Sequence, residues 1–176
     1  MTKENIINPF FIGRYAGERY FCDREKDTEV LIKHITNGRN VALISPRRLG
    51  KSGLLHHTFA QTRIIEGYIP IYIDIYATKN LTEFAKTLTE GIIRGVRAEE
   101  GWTEKVMRFL KSLRVGFKVD PMTGSTSFEI GIGDIEDPDK TIREAFEYIE
   151  NCGKPCILAI DEFQQIREYP ETNTEA

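Results

Sequence analysis

The feature that most constrains the fold is an octapeptide, residues 45–52, flanked by two different hydrophobic patterns. It reads Ser-Pro-Arg-Arg-Leu-Gly-Lys-Ser. The run before it, residues 40–44, is short and apolar without alternation, which predicts a parallel strand buried on both faces. From Lys51 onward, Leu54, Leu55 and Phe59 recur at helical spacing. A loop between such a strand and such a helix predicts an α/β fold.

The octapeptide matches the Gly-x4-Gly-Lys-Ser/Thr pattern of phosphate-binding loops at Gly50, Lys51 and Ser52, whereas Ser45 stands where the first glycine is usual. In such loops backbone N–H groups surround a phosphate, the lysine reaches the β- and γ-phosphates, and the hydroxyl holds Mg²⁺. We therefore expect ATP and Mg²⁺ as cofactors. Arg47 and Arg48 could also be solvated loop charges. The expected nucleotide contacts are Ser45, Pro46, Arg47, Arg48, Leu49, Gly50, Lys51 and Ser52.

A second apolar run, residues 157–160, ends in two carboxylates, Asp161 and Glu162. This is the Walker B pattern, in which the aspartate would hold Mg²⁺ through its water shell and the glutamate would polarise the attacking water. Ligands of open parallel sheets bind outside the carboxyl ends of the strands. We therefore expect both motifs to serve one nucleotide. The plain alternative is a solvated pair at a strand end. Asp74 is a further candidate to support the metal indirectly.

The remaining patterns complete an α/β reading. Alternating β-branched and aromatic residues predict a second strand over 69–76. Helices are predicted to begin near Asp23, at Asn80 and at Thr141, the last two from N-capping signatures. Alternation on both sides of a turn-rich segment predicts a β-hairpin over 115–133.

Composition excludes several classes of protein. A chain of 176 residues, 40% hydrophobic and 29% charged, is typical of one globular domain. Its net charge of −3 does not indicate a nucleic-acid partner. We find no secretory signal and no apolar run of about 20 residues, so we expect a cytoplasmic protein without a membrane partner. Three cysteines make no disulfide framework, and Cys152-x3-Cys156 would be at most half of a zinc site.

Together with Asn8-Pro9-Phe10 and Phe21-Cys22-Asp23-Arg24-Glu25, the two motifs make the chain resemble archaeal-type AAA/STAND ATPases, in the ASCE division of P-loop NTPases. The resemblance implies a three-layer P-loop sandwich with a mostly parallel sheet. Residues 1–176 would form a single domain, with an N-terminal arm over 1–24 and a β-hairpin insertion over 115–133. The resemblance also implies that Phe21, Arg24 and Glu25 lie near the base of the nucleotide.

The same resemblance implies residues that this sequence does not show. In that division a sensor strand follows Walker B and lies between the P-loop strand and the Walker B strand. The sequence ends at Ala176. We therefore expect an incomplete sheet and the N-terminal portion of a longer ATPase, with no sensor or arginine finger identifiable here.

The expected function is that of a regulatory ATPase that binds ATP or ADP. Lys51 and Glu162 would be catalytic, and Ser52 and Asp161 would hold the metal. Two alternatives stay open: a non-catalytic nucleotide-binding latch, and a DNA-associated ATPase similar to origin-recognition proteins. A protein partner or a second copy of the chain also stays open.

Overall fold

The computed structural model describes residues 15–46, 48–100, 104, 108–109, 116–119, 126–129 and 135–172. The chain divides into two compact units, residues 1–67 and 68–176. Each is described by itself, and the expectation of a single domain stays a prediction. The structure is mixed α/β, with several helices, a two-stranded parallel sheet and a two-stranded antiparallel sheet among the described residues.

The first unit is helical where it is described. A 3₁₀ turn over Glu18–Tyr20 precedes α1 (Glu25–Thr36), α2 (Lys51–Phe59) and α3 (Thr62–Gly67). The predicted helices after Asp23 and from Lys51 are thereby confirmed. Helices α1 and α2 contact each other, and the most buried side chains include Leu31 and Leu54.

The predicted buried strand over 40–44 is wrong. These residues adopt no strand, Val41 is 42% exposed and Ile44 is 93% exposed. A strand is stable only when a neighbouring strand accepts and donates its backbone hydrogen bonds. No strand among the described residues pairs with this segment, so its apolar sequence is not enough to make it one.

The second unit contains the strands. They and their helices are β1 (Ile69–Asp74), α4 (Leu81–Glu100), β2 (Gly116–Val119), β3 (Thr126–Glu129), α5 (Pro138–Glu150) and β4 (Cys156–Asp161). Two 3₁₀ segments follow, Phe163–Glu168 and Pro170–Thr172. Strands β1 and β4 pair in parallel, from Ile69 opposite Cys156 to Asp74 opposite Asp161. This confirms both predicted strands, although the first ends at Asp74 and not at the predicted residue 76.

The core of the second unit lies between β1 and α4. The alternate residues Ile69, Ile71 and Ile73 of β1 are buried, as the period-two pattern predicts. All six residues of strand β4 are only half-buried, although residues 157–160 are apolar. Among the described residues only β1 pairs with it, which leaves its other side less covered. Helix α4 packs on β1, and α5 packs on α4. The core residues of α4 are Phe84, Leu88, Ile92, Ile93 and Val96.

The helix starts show where capping chemistry decides a boundary. Asn80 caps α4 as predicted, because its Oδ1 accepts the N–H of Glu83 at 2.8 Å. Helix α5 begins earlier than the predicted Thr141. Asp137 is its N-cap, accepting the N–H of Lys140 at 2.9 Å, and Pro138 fills the first helical position. Proline has no N–H to leave unsatisfied there, so this signal outweighs the one at Thr141.

The predicted hairpin is confirmed as an antiparallel pair. Strands β2 and β3 pair from Gly116 opposite Glu129 to Val119 opposite Thr126. The predicted turn over 120–124 lies outside the described residues, as do residues 1–14 of the predicted N-terminal arm. None of the helices in the described ranges has the length and apolar character needed to span a membrane.

Candidate functional site

In the described part of the octapeptide, residues 45–46 and 48–52, the lysine bonds back to the first two residues. The Lys51 Nζ donates to the backbone oxygen of Ser45 at 2.9 Å and to that of Pro46 at 3.4 Å. Lys51 is also the first residue of α2, so the helix N-terminus and the ammonium group lie at the same end of the loop. Partial positive charge at a helix N-terminus and a lysine cation both favour an anion.

Two residues of the loop have a positive φ, which is 66° for Arg48 and 71° for Gly50. Left-handed residues of this kind are a feature of the backbone concavities that bind anions. Gly50 is the N-cap of α2, with φ 71° and ψ 28°, a conformation that glycine adopts without the steric cost of a Cβ atom.

Arg24 reaches the loop from the N-cap position of α1. Its Nη1 donates to the backbone oxygens of Leu49 at 2.9 Å and Gly50 at 3.3 Å. Its Nε donates to Asp27 at 2.9 Å. The expected place of Arg24 near a base stays a prediction; its observed partners in the described structure are the loop backbone and Asp27.

Phe21, another of the three residues expected near the base, packs on a buried histidine. The rings of Phe21 and His57 are stacked with centroids 3.8 Å apart, and His57 is 7% exposed. His57 on α2 is thus a packing residue. Its place beside Phe21 could not be read from the sequence, because 36 positions separate the two residues along the chain, from 21 to 57.

Both ring nitrogens of His57 have a polar neighbour. The Gln61 Nε2 donates to the His57 backbone oxygen at 3.1 Å and lies 3.1 Å from the His57 Nε2. The His57 Nδ1 lies 2.9 Å from the Tyr15 hydroxyl. Burial raises the pKa of Tyr15, and the charge of Glu18 raises it further.

In the second unit, Asp161 ends β4 as an oriented acceptor. The Tyr72 hydroxyl donates to its Oδ2 at 2.7 Å, and the Glu162 N–H donates to its Oδ1 at 3.0 Å. Tyr72 had no predicted role. Its signal is strand parity: residues 72 and 74 share one face of β1, opposite residues 159 and 161 of β4.

Glu162 leaves the strand with a left-handed backbone, φ 57° and ψ 37°. The Gln164 amide donates to one of its carboxylate oxygens. Glu162 is half-buried, whereas Gln164 is exposed. Sequence reasoning missed Gln164, although its spacing of two residues along a tight turn makes this contact a local one.

Asp74, the third carboxylate considered, ends β1 directly opposite Asp161 in register. It is exposed, and its Oδ1 accepts the N–H of Tyr76 at 2.9 Å. That bond is an Asx-type turn. It accounts for an aspartate at this position, and the role of Asp74 in metal support stays a prediction.

Among the described residues no group of three or more histidine, cysteine, aspartate or glutamate side chains has metal-binding geometry. The Cys152 Sγ donates to the Tyr148 oxygen at 3.4 Å, and the Cys156 Sγ to the Lys154 oxygen at 3.8 Å. Magnesium in nucleotide sites uses few protein ligands and keeps water and phosphate oxygens. A hydroxyl such as Ser52 and a carboxylate such as Asp161 are hard oxygen donors of the kind it prefers.

The loop belongs to the first unit, and Asp161 and Glu162 belong to the second. The structure brings together Arg24, Leu49 and Gly50, and separately Lys51 with Ser45 and Pro46. Arg47 lies outside the described residues. Comparison of the chain with protein-family models, with curated proteins and with solved structures found no match.

Proposed function

We propose that this chain is the ATP-binding part of a regulatory P-loop ATPase of the three-layer sandwich type. The observation that carries the proposal is the conformation of the 45–52 loop. A lysine at the start of α2 closes the loop on the oxygens of Ser45 and Pro46, and a left-handed glycine precedes it. This combination supplies oriented N–H groups, a helix N-terminus and a mobile cation for a triphosphate.

The loop residues have distinct roles in this proposal. The backbone N–H groups bind phosphate oxygens, and Lys51 exchanges its bonds to the oxygens of Ser45 and Pro46 for the β- and γ-phosphates. A lysine bound to two neutral carbonyl groups gains energy when it meets an anion instead.

Ser52 and Asp161 are the residues that would hold magnesium. Asp161 accepts two hydrogen bonds, one on each carboxylate oxygen. A carboxylate held in this way offers hard oxygen donors of the kind that magnesium or its bound water prefers. Magnesium, when bound, neutralises charge on the β- and γ-phosphates.

Hydrolysis is assigned to Glu162, on its position after Asp161 at the end of an apolar strand. As a general base it would orient and deprotonate the attacking water, while Lys51 stabilises charge on the γ-phosphate. A general base needs an acceptor lone pair directed at the water. The contact from Gln164 uses one oxygen of Glu162 and leaves the other to act.

The same contact favours the second candidate, a nucleotide-binding latch. A carboxylate that keeps its bond to Gln164 is held in place and accepts less readily from water. In that function ATP stabilises a conformation without turnover.

The DNA-associated alternative gains no support from the net charge of −3. Its test is whether affinity for duplex DNA falls steeply with salt.

The deciding experiment is calorimetry of the chain with Mg-ATP, for the parent and Lys51→Ala. We expect the substitution to weaken binding by at least tenfold, because charge-assisted bonds to phosphate contribute about 1.5–3 kcal/mol. Lys33→Ala removes an exposed lysine of α1 and serves as the charge-matched control. Equal affinity of the parent and Lys51→Ala would refute the assignment of the phosphate site.

A further inference from the structure

Arg24 contacts the loop at the two peptide groups that precede α2. Its Nη1 donates to the oxygen of Leu49 at 2.9 Å and to that of Gly50 at 3.3 Å. The oxygen of Gly50 also accepts the N–H of Leu54 at 2.9 Å, the first turn of the helix. One guanidinium nitrogen therefore bridges the last two carbonyl groups of the loop.

The planarity of the peptide bond gives these contacts a consequence on the other side of the loop. In a trans peptide the C=O and the following N–H point in opposite directions. Carbonyl groups of Leu49 and Gly50 that point at Arg24 therefore direct the N–H groups of Gly50 and Lys51 away from it. Within the described part of the chain, neither of these N–H groups donates to a backbone oxygen. They are the donors that a phosphate would meet first.

The orientation of Arg24 is itself supported. Its backbone is the N-cap of α1, where its oxygen accepts both the N–H of Thr28 at 3.0 Å and the Thr28 hydroxyl at 2.9 Å. Its Nε is held by Asp27 at 2.9 Å. That ion pair is partly exposed, with side chains 29% and 56% accessible, so it contributes orientation more than stability.

We propose that Arg24 is a positioning residue of the phosphate loop: it holds the peptide groups of Leu49 and Gly50 so that the N–H groups of Gly50 and Lys51 face the triphosphate. This rests on the proposed function and differs from a contact with the base. The guanidinium suits the task, because one planar group binds Asp27 through Nε and both loop carbonyl groups through Nη1. Its cation also adds to the positive potential of the loop.

The test compares three ligands that share a triphosphate and differ in the base: Mg-ATP, Mg-GTP and Mg-tripolyphosphate, which has no base. In Arg24→Gln we expect the affinity for all three to fall by the same factor, about tenfold. The ratio of ATP to GTP affinity should stay that of the parent. A loss confined to ATP, with tripolyphosphate binding unchanged, would overturn the proposal in favour of a base contact.

Two matched variants sharpen the result. Arg63→Gln removes an exposed arginine of α3 with the same change of charge and should leave all three affinities unchanged. Arg24→Lys should recover only part of the loss, because one ammonium lacks the second, rigidly placed donor by which Asp27 orients the guanidinium. Full recovery by lysine would show that charge alone matters and would contradict the positioning role.

A readout without nucleotide separates this proposal from the proposed function. In Arg24→Gln the amide signals of Gly50 and Lys51 should shift and exchange with solvent several-fold faster than in the parent, as seen by NMR. Unchanged amides would overturn the positioning role even if ATP binds. If the parent binds no triphosphate, the proposed function fails, and altered amides would still establish that Arg24 orders this loop.

Discussion

Glu162 combines a left-handed backbone with a carboxylate that is held by a neighbouring side chain. Its φ of 57° is in the left-handed region, which costs a non-glycine residue about 1–2 kcal/mol. Its carboxylate accepts from Gln164 in the same turn. Strained backbone is common where a side chain must be aimed precisely. A residue with no task for its side chain would be replaced here by glycine or asparagine at lower cost.

The first prediction concerns this carboxylate. In Glu162→Gln we expect Mg-ATP affinity within about twofold of the parent, since the phosphate contacts are elsewhere, and turnover reduced by at least a hundredfold. Phosphate release under saturating ATP measures the rate, and calorimetry measures the affinity.

Its comparison variant is Gln164→Ala, which frees the Glu162 carboxylate and should preserve or raise turnover. Turnover in Glu162→Gln equal to that of the parent would remove Glu162 from the mechanism. A parent that binds ATP without any turnover would favour the latch.

At the scale of elements, the second unit depends on how closely α4 approaches β1. Gly91 and Gly95 are one helical turn apart and face this strand. A Cβ atom on Gly95 would lie 2.8 Å from the Ile71 Cγ1, and one on Gly91 would overlap the Ile73 Cγ2. These glycines lower the intrinsic helix propensity, but they permit the close approach on which the core depends.

The second prediction follows from that approach. Gly91→Ala should lower the free energy of unfolding by about 1–3 kcal/mol, because the new methyl group displaces Ile73 from a buried position. Urea denaturation followed by circular dichroism measures the change.

Gly53→Ala in α2 is the matched control, since no atom lies within 4 Å of a Cβ there. It should raise stability by about 0.5–1 kcal/mol. If both substitutions stabilise the protein, the tight contact between α4 and β1 is contradicted.

The helices and strands also show which sequence patterns predict structure correctly. Helical spacing and caps are local, so α1, α2 and α4 could be predicted, and only the stronger cap at Asp137 shifted the start of α5. A strand depends on a partner elsewhere in the chain. Residues 69–74 and 156–161 pair with each other as parallel strands, whereas residues 40–44 have no such partner in the described structure.

At the scale of the whole molecule, the last described segment is attached to the core of the second unit by a buried tyrosine. Tyr169 has no exposed surface, and its hydroxyl bonds that of Thr78. The carboxylate of Glu171 also accepts the N–H of Leu81 at 3.3 Å. Global unfolding must break these contacts, so proton binding at Tyr169 is linked to the folding equilibrium.

The third prediction is the sign of that linkage. Burial raises the pKa of Tyr169, the bond to Thr78 lowers it in part, and the charges of Glu83 and Glu171 raise it. The folded state therefore holds the proton more tightly than the unfolded chain. The resulting stability is present below the unfolded pKa of about 10 and is lost as pH rises through the higher folded value.

Urea midpoints between about pH 8 and 11 measure this loss. In Tyr169→Phe the stability at the lower pH should fall by about 1–2 kcal/mol, because Thr78 loses a buried partner. The difference between parent and variant should shrink toward the higher pH. A constant difference across this range would contradict the linkage, since other titrating groups are common to both proteins.

The motifs of the candidate site could be predicted from the sequence, but the side-chain contacts that hold these motifs in place could not. Residue types and spacing identify Gly50, Lys51 and Ser52 and the pair Asp161-Glu162. The contacts of Arg24 with Leu49 and of Tyr72 with Asp161 join residues 25 and 89 positions apart. Such pairs arise from packing of elements, and no local pattern in one sequence encodes them.

The exposed apolar segment before the loop, residues 40–44, has a consequence for self-association of the protein in solution. Val41 and Ile44 expose apolar, β-branched side chains, and no described strand covers the backbone between them. Uncharged stretches of this kind pair with copies of themselves, in a reaction that grows with the square of concentration. Arg39, just ahead of the run, is exposed, and repulsion between its charges on two copies of the chain opposes this pairing. Salt that screens this charge should therefore promote clouding, and dilute, low-salt buffer should keep the chain monodisperse.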